Sequence, residues 1–233
     1  MKAEFLPVGD LAVRVAFGAE ISPQINDRIR RFCHRLEVEL IRGVIEWVPG
    51  YAAVTVYYQP WVIGYEALCG ELAWRVGRGK DALLPQARQV EIPVCYGGDW
   101  GPDLEEVAAA HDLTPAQVIE RHTAGDYLVY FLGFLPGFPY LGGLDPSLAT
   151  PRRATPRLQV PAGAVGIAGA QTGVYPMKTP GGWQIIGRTP LRLYDPARQP
   201  PALLAAGDPV RFVSITAQRF EQITLEEVAL GPR

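Results

Sequence analysis

Across its 233 residues the chain has three cysteines, three histidines and a net charge of −2. Each scarcity excludes something. Cys33, Cys69 and Cys95 are odd in number and widely spaced, so no disulfide framework or zinc knuckle is implied. His34, His111 and His122 lie far apart on separate predicted helices, which argues against a metal cluster, and no bound metal is expected. The near-neutral charge gives no basic footprint for nucleic acid or an anionic membrane. No apolar run reaches membrane-spanning length, and Met1 to Pro7 lack the apolar core of a signal peptide. These absences lead to the expectation of a reduced, cytoplasmic protein. A 48% hydrophobic and 20% charged composition fits a globular fold of one or two domains.

Turn-forming residues are abundant but concentrated. Gly125 to Pro190 holds 12 of the 25 glycines and 9 of the 22 prolines. Tyr, Phe, Leu, Val, Ile and Trp fill the gaps, so the stretch reads as an ordered strand-rich core with sharp corners, not a linker. Within it there is no Cys, His or Glu. Asp126 and Asp145 face Arg152, Arg153, Arg157, Lys178 and Arg188. Guanidinium forks suit carboxylate or phosphate, and hydroxyl and amide groups accompany them. That equipment fits a pocket for a small anionic or amide-bearing ligand.

Upstream, Leu11 to Phe17 reads as a strand. Ser22-Pro23 opens a helix whose apolar face is Ile25, Ile29, Phe32 and Leu36. Val44 to Val48 and Ala52 to Tyr58 form a hairpin through Pro49-Gly50. Tyr65, Leu68, Leu72 and Val76 mark a second helix. The order β-α-β-β-α suggests a split β-α-β unit, which Val90 to Cys95 either closes or leaves to begin the next domain. Gly77 to Pro85 is the boundary candidate, giving an α/β domain over 1–84 and a β-barrel domain over 85–233, an α+β protein. The Gly-Lys at 79–80 lacks the spacing of a phosphate loop. A helix from Asp103 to His111 and a capping box at Thr114 to Gln117 lead into the glycine-rich core. Strands are expected at Tyr127–Phe134, Val165–Ala168, Gln184–Ile186, Leu191–Tyr194 and Val210–Ile215.

Gly133-Phe-Leu-Pro-Gly-Phe-Pro-Tyr-Leu-Gly-Gly-Leu144, Val160-Pro-Ala-Gly163, Ala170-Gln-Thr-Gly-Val-Tyr-Pro176 and Pro180-Gly-Gly-Trp-Gln-Ile-Ile-Gly-Arg-Thr-Pro190 resemble the family of bacterial 5-oxoprolinase B subunits. That family also contains KipI-type histidine-kinase inhibitors and proteins labelled allophanate hydrolase subunit 1. The same domain pair resembles part of the carboxyltransferase region (subdomains C and D) of urea carboxylase. The resemblance implies a cyclophilin-like barrel and a role in ATP-dependent opening of 5-oxoproline to glutamate, alongside the A and C subunits. Phosphorylation of the resonance-stabilised amide would explain the ATP, whose site is expected to be shared with the C polypeptide. Isolated, such a chain is expected to be nearly inactive. Alternatives are a kinase-inhibiting binding module and a component of a urea- or allophanate-processing enzyme.

A lactam acid offers one amide N–H, one amide C=O and one carboxylate. Gln171, Thr172, Tyr175 and Trp183 are expected to touch the substrate ring, with Phe138, Arg152 and Arg188 as further binding residues; glutamine suits the amide, arginine the carboxylate and an aromatic face the ring. His122 and Asp126 are the candidates for proton transfer. Gly133 to Tyr140 reads as either a barrel corner or a stiff aromatic lip over the ligand. Gly163, Gly166 and Gly169 mark close backbone approach or a wall of exposed N–H groups. Cys95 reads as an inert, half-buried thiol.

Overall fold

The computed structural model describes residues 3–78, 84 and 86–229. The 77–85 boundary segment therefore lies mostly outside the described residues. The chain separates into two units, Met1–Gln86 and Ala87–Arg233.

In the first unit, β1 (Glu4–Val8), β2 (Ala12–Ala16), β3 (Val44–Pro49) and β4 (Ala53–Tyr58) form a sheet of order β1-β2-β4-β3. β2 and β3 each pair antiparallel with β4, so they run parallel to one another with β4 between them. That is the split β-α-β arrangement expected from the sequence, with the linking helix between β2 and β3. The hairpin strand β1, not anticipated, adds an edge beside β2. Helix α1 (Pro23–Val38) is capped by Ser22, whose side chain accepts from the Ile25 amide, and Pro23 sits in its first turn. Its buried Ile25, Ile29, Phe32 and Leu36 share a core with Leu68 and Leu72 of α2 (Tyr65–Gly77) and with Val13, Val15, Val54 and Val56 of the sheet.

The second unit is a closed barrel of order β10-β7-β6-β13-β5-β12-β9. Its strands are β5 (Val90–Tyr96), β6 (Tyr127–Leu132), β7 (Pro139–Gly142), β9 (Ala164–Ala168), β10 (Gln171–Val174), β12 (Gln184–Arg188) and β13 (Pro209–Ser214). β5 thus begins this unit and pairs in parallel with β13. A flap of β8 (Arg157–Val160) and β11 (Thr179–Gly181) stands apart from the barrel sheet. Leu191 to Tyr194, expected as a strand, contributes only an isolated bridge from Tyr194 to Ala202. The terminal helix α5 (Ala217–Ala229) was not anticipated.

Period-two alternation fills the barrel. Ile92 and Val94, Val129, Leu141, Val165 and Ile167, Val174, Ile186 and Phe212 belong to one buried cluster. Fully burying such a side chain contributes about 1.5–3 kcal/mol. Helices α3 (Leu104–Ala110) and α4 (Pro115–Ala124) add Leu104, Val107 and Val118 to it. The expected capping box opens α4: Thr114 Oγ1 accepts from the Gln117 amide, and Gln117 Oε1 accepts from the Thr114 amide at 2.8 Å.

Two buried polar residues tie this unit together. Asp103, 2% exposed, accepts from Arg153 Nη1 and Arg157 Nη1 at 2.8 Å each, and from the Ile185 amide at 2.6 Å. It therefore links the start of α3 to β12 and to the arginine loop. His122, fully buried on α4, accepts from Tyr96 Oη at Nδ1 (2.8 Å) and donates from Nε2 to Thr172 Oγ1 (3.0 Å). Thr172 donates its own proton to the Gly166 carbonyl, so the Nε2–H tautomer satisfies every group. Burial lowers the His122 pKa from 6.5 to about 3.

Removing the Asp103 carboxylate leaves Arg157 without its carboxylate partner and Arg153 with only the exposed Glu106 at 3.3 Å. Asp103→Ala should destabilise the chain by about 3–5 kcal/mol in urea unfolding. His122 stays neutral in the fold but takes up a proton on unfolding below pH 6.5. Stability should therefore fall as the pH drops from about 6.5 toward 3, by up to about 1.4 kcal/mol per pH unit from this group. In His122→Gln, unfolding midpoints measured across that window should be lower at neutral pH and show a shallower acid dependence.

Candidate functional site

The alternation that fills the barrel also shapes its outer wall. In β9, Val165 and Ile167 join the interior cluster, while Ala164 and Ala168 join a second cluster with Phe138, Val160, Tyr175, Trp183 and Ile185. The wall is built from small residues on that side, and rings fill the space. A Cβ on Gly173 of β10 would come within 3.0 Å of Phe138 and 3.1 Å of Trp183. One on Gly181 of β11 would sit 2.5 Å from the Tyr175 hydroxyl. The glycines of this stretch thus make room for aromatic rings.

Those rings meet edge to face. Phe138 lies 5.5 Å from both Tyr175 and Trp183, with interplanar angles of 79° and 85°. Tyr140 packs on Phe138 at 5.1 Å and Phe134 at 5.7 Å. Such contacts are worth about 0.5–1.5 kcal/mol each beyond area burial and hold the rings in fixed orientations. They enclose a cavity of about 130 Å³, completed by Gly181, Gly182 and the exposed Arg152. A water occupies about 30 Å³ of liquid, so the space suits one small ring-sized molecule.

Charge at this cavity is one-signed. Arg152 makes no hydrogen bond or ion pair among the described residues, unlike its neighbours Arg153 and Arg157, which Asp103 holds. Burial raises the phenols of Tyr140 and Tyr175 above their ordinary value, and the Arg152 guanidinium pulls both the other way. Both remain neutral O–H groups at pH 7. The lining contains no carboxylate, imidazole, thiol or amine. The arrangement can bind and orient a small ring bearing an anionic group, and its ionisable side chains are the Tyr140 and Tyr175 phenols and the Arg152 guanidinium.

Of the residues expected from the sequence, Phe138, Arg152, Tyr175 and Trp183 come together here. The other five do not line this cavity. Thr172 is buried and committed to His122 and Gly166. Gln171 stands in β10, paired with Ala168. Arg188 donates to the Ala162 carbonyl at 2.8 Å and lies over Phe220 of α5. His122 is sealed within the barrel core. Asp126 is exposed and lines a separate open depression of about 400 Å³ with Tyr127 and Arg211. Phe134, Tyr140 and the paired glycines were missed as individual residues, though the first two lie in the stretch read as a lip. Burial raises the pKa of Cys95, in keeping with an inert thiol.

A nucleotide does not fit the aromatic cavity. The aromatic cavity is too small, because ligands of that size take pockets of about 300–1,000 Å³. A second open depression of about 460 Å³ carries Glu120 and Asp145 beside Arg121, and the first carries Asp126, so carboxylates would face a triphosphate in both. Among the described residues no group of His, Cys, Asp or Glu is placed to hold a metal ion, and no helix is long and apolar enough to cross a membrane.

Residues 3–204 match the family described as carboxyltransferase domain, subdomain C and D. The chain is 45% identical over 223 residues to the 5-oxoprolinase B subunit of Bacillus subtilis (strain 168), covering 91% of this chain and 93% of that protein. It is 50% identical over 207 residues to the 5-oxoprolinase B subunit of Escherichia coli O157:H7, covering 88% and 93%. The fold recurs in the solved urea carboxylase of Kluyveromyces lactis, with a TM-score of 0.74 at 22% identity, over 96% of this chain and 23% of that one. The chain therefore belongs to the carboxyltransferase subdomain C and D family, in which its full-length relatives include 5-oxoprolinase B subunits.

Proposed function

We propose that this chain is the B subunit of an ATP-dependent 5-oxoprolinase, opening 5-oxoproline to glutamate in the cytoplasm together with the A and C subunits. The observation that carries this reading is 45–50% identity along nearly the whole length of two such proteins. The geometry supports it at the scale of the substrate. A five-membered lactam acid is a small flat ring with one carboxylate, and the aromatic cavity is a small ring-lined space with one unpaired guanidinium at its rim. Arg152 would hold the carboxylate, while Phe138, Tyr175 and Trp183 would fix the plane of the ring.

With no carboxylate, imidazole, thiol or amine in the lining, this chain takes the part of holding and orienting the substrate. The groups that move protons and carry the nucleotide then belong to partner subunits, and His122 and Asp126 drop out of the catalytic role. The free thiols Cys33, Cys69 and Cys95 suit a reducing compartment.

Co-expression with the A and C subunits should give ATP-dependent release of glutamate from 5-oxoproline, whereas the isolated chain should give none. Arg152→Ala, at an exposed position, should raise KM about 10- to 100-fold, the value of a charge-assisted contact. Gln171→Ala and Arg188→Ala should stay within about twofold of wild type, as for side chains outside the binding contacts. An Arg152→Ala enzyme with unchanged KM would place the substrate elsewhere.

A further inference from the structure

Phe134 combines two features that folding alone does not favour. Its backbone is left-handed, with φ +64°, and the Leu135 amide donates to the Gly133 carbonyl at 2.7 Å across it. This is a γ-turn of the rare, strained kind, and the position would suit glycine. Its side chain is 67% exposed, so most of the ring gains nothing from burial. Yet the tip is firmly built: Phe138 donates to the Leu135 carbonyl at 3.0 Å, and Gly133 to the Phe138 carbonyl at 3.1 Å. The strained turn holds the Phe134 ring edge-on to Phe138, at the same cavity that Arg152 rims. Strain held by surrounding structure next to a cavity is a mark of pre-organisation for a ligand.

We propose that Phe134 is a specificity-determining clamp, whose exposed ring closes on a small cyclic carboxylate seated in the aromatic cavity. The inference rests on the reading of that cavity as the substrate site. It goes further by giving a role to a residue that makes no charged contact, and by defining the ligand class through ring size. The cavity volume of about 130 Å³ and the single cation at the rim select this occupant over a protein segment. An apolar ring lying against Phe134 would cover the surface now open to water, and a bulkier acid would meet the fixed turn.

The experiment uses the complex assembled with the A and C subunits, and Phe134→Ala, Phe134→Gly and Phe134→Tyr variants. Phe134→Ala and Phe134→Gly should each raise KM for 5-oxoproline about tenfold with kcat less affected, and Phe134→Tyr should retain the wild-type value. Phe134→Gly, freed of the left-handed strain, should melt about 2–4 °C above Phe134→Ala. In parallel, the full chain is titrated with cyclopentanecarboxylate, which keeps the ring and the carboxylate but lacks the amide. Its binding is read from Trp183 fluorescence, defined by difference from the Trp183→Phe chain. Weakened binding of this acid in Phe134→Ala, with no turnover of 5-oxoproline by the wild-type complex, would uphold the clamp and defeat the 5-oxoprolinase reading. Turnover with unchanged KM in both truncated variants would defeat the clamp alone. Absence of both binding and turnover in wild type overturns both. Loss of co-purification with the A and C subunits in variants that still fold would make the ring a docking contact and also overturn the proposal.

Discussion

The structure around the candidate site depends on one steric constraint: the wall of the barrel formed by β9 and β10 is buried on both faces. A strand covered on one side can carry polar residues on the other. Here Val165 and Ile167 fill the interior, and the opposite face must accept aromatic rings at close range. Only very small residues allow that, which is why Ala164, Gly166, Ala168 and Gly173 alternate with the branched ones. The rings of Phe138, Tyr175 and Trp183 then pack edge to face against a backbone surface. A rigid cavity follows from this packing without any polar scaffold, because each ring is oriented by its neighbours.

The charges near the cavity follow a similar division. Three arginines within six positions would repel one another in a low-dielectric corner. Asp103 resolves this by holding Arg153 and Arg157 and by accepting from the Ile185 amide as well. With all its contacts made, that carboxylate fastens the loop to β12 and leaves Arg152 as the guanidinium free to meet an anion. The distinction between the two arginines held by Asp103 and Arg152 therefore lies in geometry, since the three share one short segment of sequence.

Much of the architecture was legible from local patterns. The Ser22 cap, the Thr114–Gln117 capping box, the apolar face of α1 and the alternation of β5 and β9 are short-range signals, and each appears in the fold. Phe138, Tyr175 and Trp183, each beside Gly or Pro in the sequence, come together in the fold, because such turns limit the ways those rings can be placed. Long-range partners were not. Nothing near Arg153 or Arg157 points to Asp103, 50 and 54 residues upstream, and nothing near Arg188 points to Phe220. His122 looked like a proton carrier because it precedes the glycine-rich stretch. Its neutral, fully satisfied role depends on Tyr96 and Thr172, which lie 26 and 50 residues away. Close backbone approach holds at Gly163 and Gly166, where a Cβ would stand 2.2 Å from the Thr189 carbonyl oxygen and 3.1 Å from that of Gln184, whereas Gly173 makes room for the Phe138 and Trp183 rings.

A cavity built in this way has a definite chemical character. Rings and a neutral backbone orient a ligand but do not exchange protons with it, and the two phenols nearest Arg152 are kept protonated by burial. Amide hydrolysis needs an activated nucleophile and proton transfer at the leaving nitrogen. The lining supplies no carboxylate, imidazole, thiol or amine for this, while its shape, fixed ring contacts and one cation suit the holding of a small acid. Under the proposed reading, such a cavity suits a polypeptide that presents a small acid to groups on another chain. It also accounts for a full-length resemblance to proteins named as subunits, since the catalytic work of such an assembly need not reside in every one of its parts.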